Sequence, residues 1–149
     1  MESNQIANEL IEKEQLLLLY ENLIDEGLHL YNIYKSIHNK LISHENRNIV
    51  QDIMKTRLYQ IRELISIYNK LSGECYRSKQ SNVHKKNKLK KMFAKESNYV
   101  EAINHIYANT NDIVTKVKLT KLIQDENIIL FRLLYLQSLI GICWEANDK

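Results

Sequence analysis

The 149-residue chain contains no proline and only three glycines. Such a chain has few means of breaking a helix or reversing a strand, so it is expected to form long helices and not a many-turned β fold. The apolar pattern points the same way. Four sets of residues recur at alternating steps of three and four, each marking one seam of a helix. The first runs Leu16, Tyr20, Leu23, Gly27, Leu30, Tyr34, Ile37, Leu41. The second runs Val50, Ile53, Arg57, Gln60, Leu64, Ile67, Leu71, and the third Leu89, Met92, Glu96, Tyr99, Ile103, Ile106. The fourth runs Leu119, Leu122, Glu126, Ile129, Leu133, Leu136, Ile140.

Between the seams lie the punctuation marks. A polar cluster from Ser43 to Asn46 reads as a tight turn, and Gly73 is placed as a helix C-cap. Asn109 to Asp112 marks another turn, with Thr110 or Asp112 as N-cap. Residues before about 8 read as a polar lead-in, and the weakly patterned stretch from Glu74 to about Val83 as a longer connection. The predicted helices cover about 8–42, 47–72, 84–108 and 112–141, within one domain of residues 1–149. Two short turns and one longer connection describe an all-α, antiparallel four-helix bundle made of two helical hairpins. The two halves also look alike. Each opens with an aromatic-rich patch (LIDEGLHLY from Leu23, YVEAINHIY from Tyr99) and closes on Leu-x-Gly at 71–73 and 139–141, as expected of a duplicated hairpin.

Composition excludes several function classes. There is no Gly-rich phosphate loop, no nucleophile elbow and no paired Cys and His at a usable spacing, so nucleotide binding, acyl transfer and hydride transfer lack support. The two cysteines, Cys75 and Cys143, stand apart without a CxxC spacing, which fits a reducing cytoplasm better than a disulfide framework. The apolar run from Leu16 to Tyr20 is too short to cross a bilayer, and neither a signal peptide nor a transmembrane segment is expected. The formal net charge of +3 is unevenly spread. Eight Lys or Arg residues and no acidic ones lie between Arg77 and Lys95, leaving 13 basic against 18 acidic residues elsewhere. Lys85, Lys86, Lys88, Lys90 and Lys91 are therefore candidates for contacting nucleic acid or another anionic surface. No aromatic residues interleave with them to stack on bases; Tyr76 and Phe93 stand only near the borders.

The fourth seam carries a carboxylate, Glu126, in the middle of an apolar stripe. Burying it bare costs several kcal/mol, so it needs a proton, a metal or a cationic partner. At this point the chain resembles the ferritin-like superfamily, in particular the rubrerythrin-type branch of small bacterial proteins. The residues that carry the resemblance are IYNKLSG at the end of the second helix (Ile67 to Gly73), the long first seam with Tyr34, and QDE in the fourth helix (Gln124 to Glu126). The resemblance implies a di-iron centre held by one Glu from each of helices one and three and a Glu-x-x-His from each of helices two and four.

Position by position, the ligand set is degraded. Arg57 and Gln60 stand where helix two should supply Glu and His, and Glu126 and Ile129 where helix four should. Glu96 holds its place in helix three, and Gly27 stands at the matching position of helix one. The registers agree, because Gly27 and Arg57 are 30 residues apart, as are Glu96 and Glu126. The expected centre is a buried polar cluster of Arg57, Gln60, Glu96 and Glu126, with the guanidinium supplying the positive charge that iron supplies in the family. The expected function is that of a metal-free interaction or structural protein with no cofactor and no catalysis of its own, which binds a protein partner or itself. The alternative is an iron- or manganese-binding oxidoreductase or iron-handling protein in a shifted register, using Glu26, His29, Glu96, Glu101 and Glu126.

Overall fold

The computed structural model describes residues 2–78 and 89–146. It contains four helices, α1 (Glu2–Lys40), α2 (His44–Ser72), α3 (Leu89–Ala108) and α4 (Ile113–Ala146), and no strand among the described residues. They pack side by side in a ring. α1 packs against α2 and α3, and α4 against α3 and α2, while the backbones of the diagonal pairs stay apart and only long side chains at the centre reach across from α2 to α3. Among the described residues no helix is long and apolar enough to cross a membrane.

The caps follow from local chemistry. Ser43, in an extended conformation, accepts a hydrogen bond from the Asn46 amide and starts α2. Gly73 ends it at φ 72°, a left-handed conformation that costs a side-chain-bearing residue energy, and its N–H returns to the Asn69 carbonyl. Asp112 caps α4 by accepting from the amide and the hydroxyl of Thr115. Thr110, in the turn, instead donates its hydroxyl back to the Ile106 carbonyl of α3.

Three expected boundaries shift, one of them the start of α2, which lies at His44 and not at about 47. α1 begins at Glu2, with no lead-in, because nothing between Ser3 and Asn8 breaks a helix; its first turns lie exposed. α4 passes through Gly141 to Ala146, since a glycine inside a helix costs only about 1 kcal/mol and stops it only where the backbone turns left-handed. α3 is described from Leu89, and residues 84–88 lie outside the described residues.

The seams point inward almost without exception. Leu16, Leu71 and Ile140, at the bundle's ends, are half-buried, and every other seam residue is buried. A deeper regularity emerges from the burial pattern. Each buried position of α3 and α4, and of the turn between them, has a buried counterpart 69 residues earlier: Leu89 matches Tyr20, Tyr99 matches Leu30, Thr110 matches Leu41, Leu122 matches Ile53, Leu136 matches Ile67. Gly27 matches Glu96, and Arg57 matches Glu126. The two helix pairs thus bury one pattern twice. The Leu-x-Gly endings sit one residue out of this register, so they do not belong to the repeat.

The start of the long connection folds back on the bundle. Tyr76 donates its hydroxyl to Asp25 of α1, its amide bonds to the Asn69 side chain, and its ring meets Tyr68 edge-on at 5.5 Å. Tyr68 in turn donates to Glu21 at 2.7 Å.

Candidate functional site

At the middle of the ring lie two pairs of positions related by the repeat, Gly27 of α1 with Glu96 of α3, and Arg57 of α2 with Glu126 of α4. Arg57, Gln60, Glu96 and Glu126 are all wholly removed from solvent. Arg57 Nη1 donates to Gln60 Oε1 at 2.9 Å and to Glu126 Oε1 at 2.5 Å, while Nη2 donates to Glu96 Oε2. One guanidinium therefore bridges two carboxylates on different helices. Gln60 sits one turn beyond Arg57 on the same face, and its amide donates to the Leu122 carbonyl of α4 at 3.1 Å.

Two tyrosines complete the shell. Tyr34 of α1 donates to Glu96 Oε1 at 2.9 Å, so both oxygens of Glu96 are engaged. Tyr99 of α3 lies flat beneath the guanidinium, 4.1 Å from ring centre to Cζ, where the ring's negative face meets the cation. Gly27 makes this possible. A Cβ there would stand 2.8 Å from the Tyr99 hydroxyl and 3.1 Å from Ile61 Cγ1. The sequence places Tyr34 and Tyr99 on their seams but reveals neither the bond of Tyr34 to Glu96 nor the stacking of Tyr99 on Arg57. The available signal was the shared seam: Tyr34 lies two turns from Gly27, and Tyr99 one turn from Glu96.

The electrostatics follow from burial. Desolvation works against the charge of Arg57, but the carboxylates of Glu126 and Glu96 outweigh it and hold its proton more tightly than a free guanidinium would. Two carboxylates and one guanidinium sum to −1, which is costly in an interior. Desolvation pushes Glu126 up to about 8; Arg57 opposes the rise and Glu96 adds to it. Protonating Glu126 makes the cluster neutral, and hydrogen bonding toward Glu96 favours the protonated form. Glu126 Oε2, otherwise without a partner, is available to carry that proton. Burial also raises the hydroxyls of Tyr34, beside Glu96, and Tyr99, and takes Tyr20 to about 12.

The donor set does not fit a di-metal centre. A metal ligand must offer a lone pair, and the group between the two carboxylates is a guanidinium that offers none and cannot be deprotonated. The residues of the shifted register do not converge either: Glu26 and Glu101 are exposed and His29 is half-buried, while Glu96 and Glu126 lie in the interior. Among the described residues no group of three His, Cys, Asp or Glu side chains is placed to hold a metal ion. Of the basic stretch, Lys90 and Lys91 are exposed at the start of α3, and Lys85, Lys86 and Lys88 lie outside the described residues. Cys75 is an exposed free thiol. Comparison with protein-family models, with curated proteins and with solved structures finds no match to this chain.

Proposed function

We propose that the chain is a metal-free, ferritin-like bundle of two antiparallel hairpins that performs no chemistry of its own and acts as an interaction or structural protein. The observation that carries this reading is the Glu126–Arg57–Glu96 bridge, buried at the bundle centre where the resembling family would hold two iron ions. A guanidinium in that place supplies fixed positive charge and closes the centre to ligands. The antiparallel arrangement is supported by cross-helix pairs between α2 and α4: Glu45 with Tyr135, Thr56 with Arg132, Arg57 with Glu126 and Tyr59 with Lys121. The exposed Cys75 thiol fits a reducing compartment such as the cytoplasm.

Elemental analysis tests the reading. Protein purified after growth with added iron and manganese, and protein incubated with ferrous iron without oxygen, should both carry well under one tightly held ion per chain. Two ions per chain, lost on mutation of Glu96 or Glu126, would replace this reading with the di-metal one.

A further inference from the structure

The outer face of α4 is apolar where the fold gives it no reason to be. Phe131 is 74% exposed, Val117 66% and Tyr135 52%, and Val114, Ile128, Leu134 and Leu139 are also exposed. Because α2 and α4 are equivalent members of the repeat, α2 shows what this face requires. Five of the seven have polar counterparts 69 residues earlier, Glu45 for Val114, Asn48 for Val117, Arg62 for Phe131, Ser66 for Tyr135 and Lys70 for Leu139, while Ile128 and Leu134 match the apolar Tyr59 and Ile65. One helix of the pattern does its structural work with a mostly polar outer face, so the apolar face of the other serves something outside the bundle.

We infer that this face of α4 is where a second copy of the chain docks, with the two α4 helices lying antiparallel across a two-fold axis. Three observations favour that occupant. Gln124, Ile128, Phe131 and Tyr135 continue along the face at the three- and four-residue steps of a helix–helix seam, with Val117 two turns before Gln124. The lysines beside the seam are held away from it: Lys116 lies over the Tyr107 ring of α3, and Lys121 lies over Tyr59 of α2 and donates to its hydroxyl. The exposed apolar side chains of α4 present roughly 800 Å², about what each partner contributes to a stable interface of standard size. Charge then selects the direction. Lys116, Lys118 and Lys121 all lie in the first half of α4, so a parallel pair would set them against each other. An antiparallel pair centred near residue 126 keeps them apart, setting Lys116, Lys118 and Lys121 across from positions 136, 134 and 131, none of them charged. The axis falls near the middle of the stripe, around Gln124 to Ile128.

The inference deepens the reading of the chain as an interaction protein by naming the partner. Its test is the mass of the full chain by light scattering and sedimentation from about 1 to 100 μM, which should give a dimer. Two substitutions take the residue that the first repeat already uses, Phe131→Arg and Val117→Asn. Together they should weaken the dimer at least 100-fold while leaving helical content and the melting of the dilute monomer unchanged. The mirror control Arg62→Glu, on α2, should leave the dimer intact. In a chain with Cys75 and Cys143 changed to Ser, Gln124→Cys should cross-link between subunits under mild oxidation and Val117→Cys should not. A monomer at every concentration, a dimer indifferent to Phe131→Arg with Val117→Asn, or equal cross-linking of both cysteines would overturn the proposal. Metal content is read separately: a metal-free monomer sinks the docking face alone, and a dimer with two ions per chain sinks the non-catalytic reading alone.

Discussion

Arg57 carries a charge that it cannot give up, in a place that no water reaches. Glu96 and Glu126 make that tolerable, and each depends on Arg57 in return. Removing one member of such a cluster strands the others, so Arg57→Met should lower the free energy of unfolding by about 3–5 kcal/mol in urea titrations. The combined variant Arg57→Met, Glu96→Gln, Glu126→Gln strands no charge and should recover most of that loss, because a buried ion pair often contributes little beyond apolar packing. Equal stability of Arg57→Met and the parent would mean that the guanidinium is not held in the interior.

The proton on Glu126 makes stability depend on pH. Its carboxyl titrates near 4.5 in the unfolded chain and at about 8 in the folded one. Between those values the folded state binds the additional proton. This group's contribution is therefore fully present below pH 4.5 and is lost as pH rises through 8, at up to ~1.4 kcal/mol per pH unit. Stability curves measured from pH 5 to 9 should show this decline, and Glu126→Gln, which fixes a neutral group, should flatten it. A second loss should begin above pH 10, where the unfolded chain releases tyrosine protons that Tyr20 holds to about 12 and that Tyr34, buried beside Glu96, also holds well beyond its ordinary range.

At the scale of the helix, Gly27 deserves a residue-specific test because two effects oppose. Alanine is worth about 1 kcal/mol over glycine inside a helix. Here the added Cβ would press on Tyr99 and Ile61, and Tyr99 cannot retreat without leaving Arg57. Overpacking a buried site costs ~1–3 kcal/mol, so Gly27→Ala should melt below the parent. Gly73 is the opposite case, with open space around it and a left-handed backbone. Gly73→Ala should cost about 1 kcal/mol through conformation alone, leaving the central cluster undisturbed.

At the scale of the whole molecule, the repeat separates what folding needs from what it does not. Both helix pairs share buried positions, from Tyr20 to Ile67 in one and from Leu89 to Leu136 in the other, yet they differ at the centre and on the outside. In the centre, Arg57 meets its counterpart Glu126, and Glu96 stands at the position where the first pair has Gly27, so the difference between the copies creates the ion pairs. On the outside, α2 is mostly polar and α4 apolar, so the copies meet solvent differently.

The sequence by itself determined the four seams, because a period of three and four residues is a local property and survives being read one helix at a time. It also placed Arg57, Gln60, Glu96 and Glu126 on those seams, since a charged residue among leucines stands out wherever the helices lie. The ends of α1 and α4 were not legible, because nothing local marks a helix end that lacks a breaker. Only the tertiary structure decided which oxygen meets which nitrogen: that Tyr34 serves Glu96, that Tyr99 lies under Arg57, and that Gly27 clears the space. Those pairings join residues more than 30 apart, and their distances depend on how the four helices are rotated and shifted against one another. No periodicity within a single helix records that.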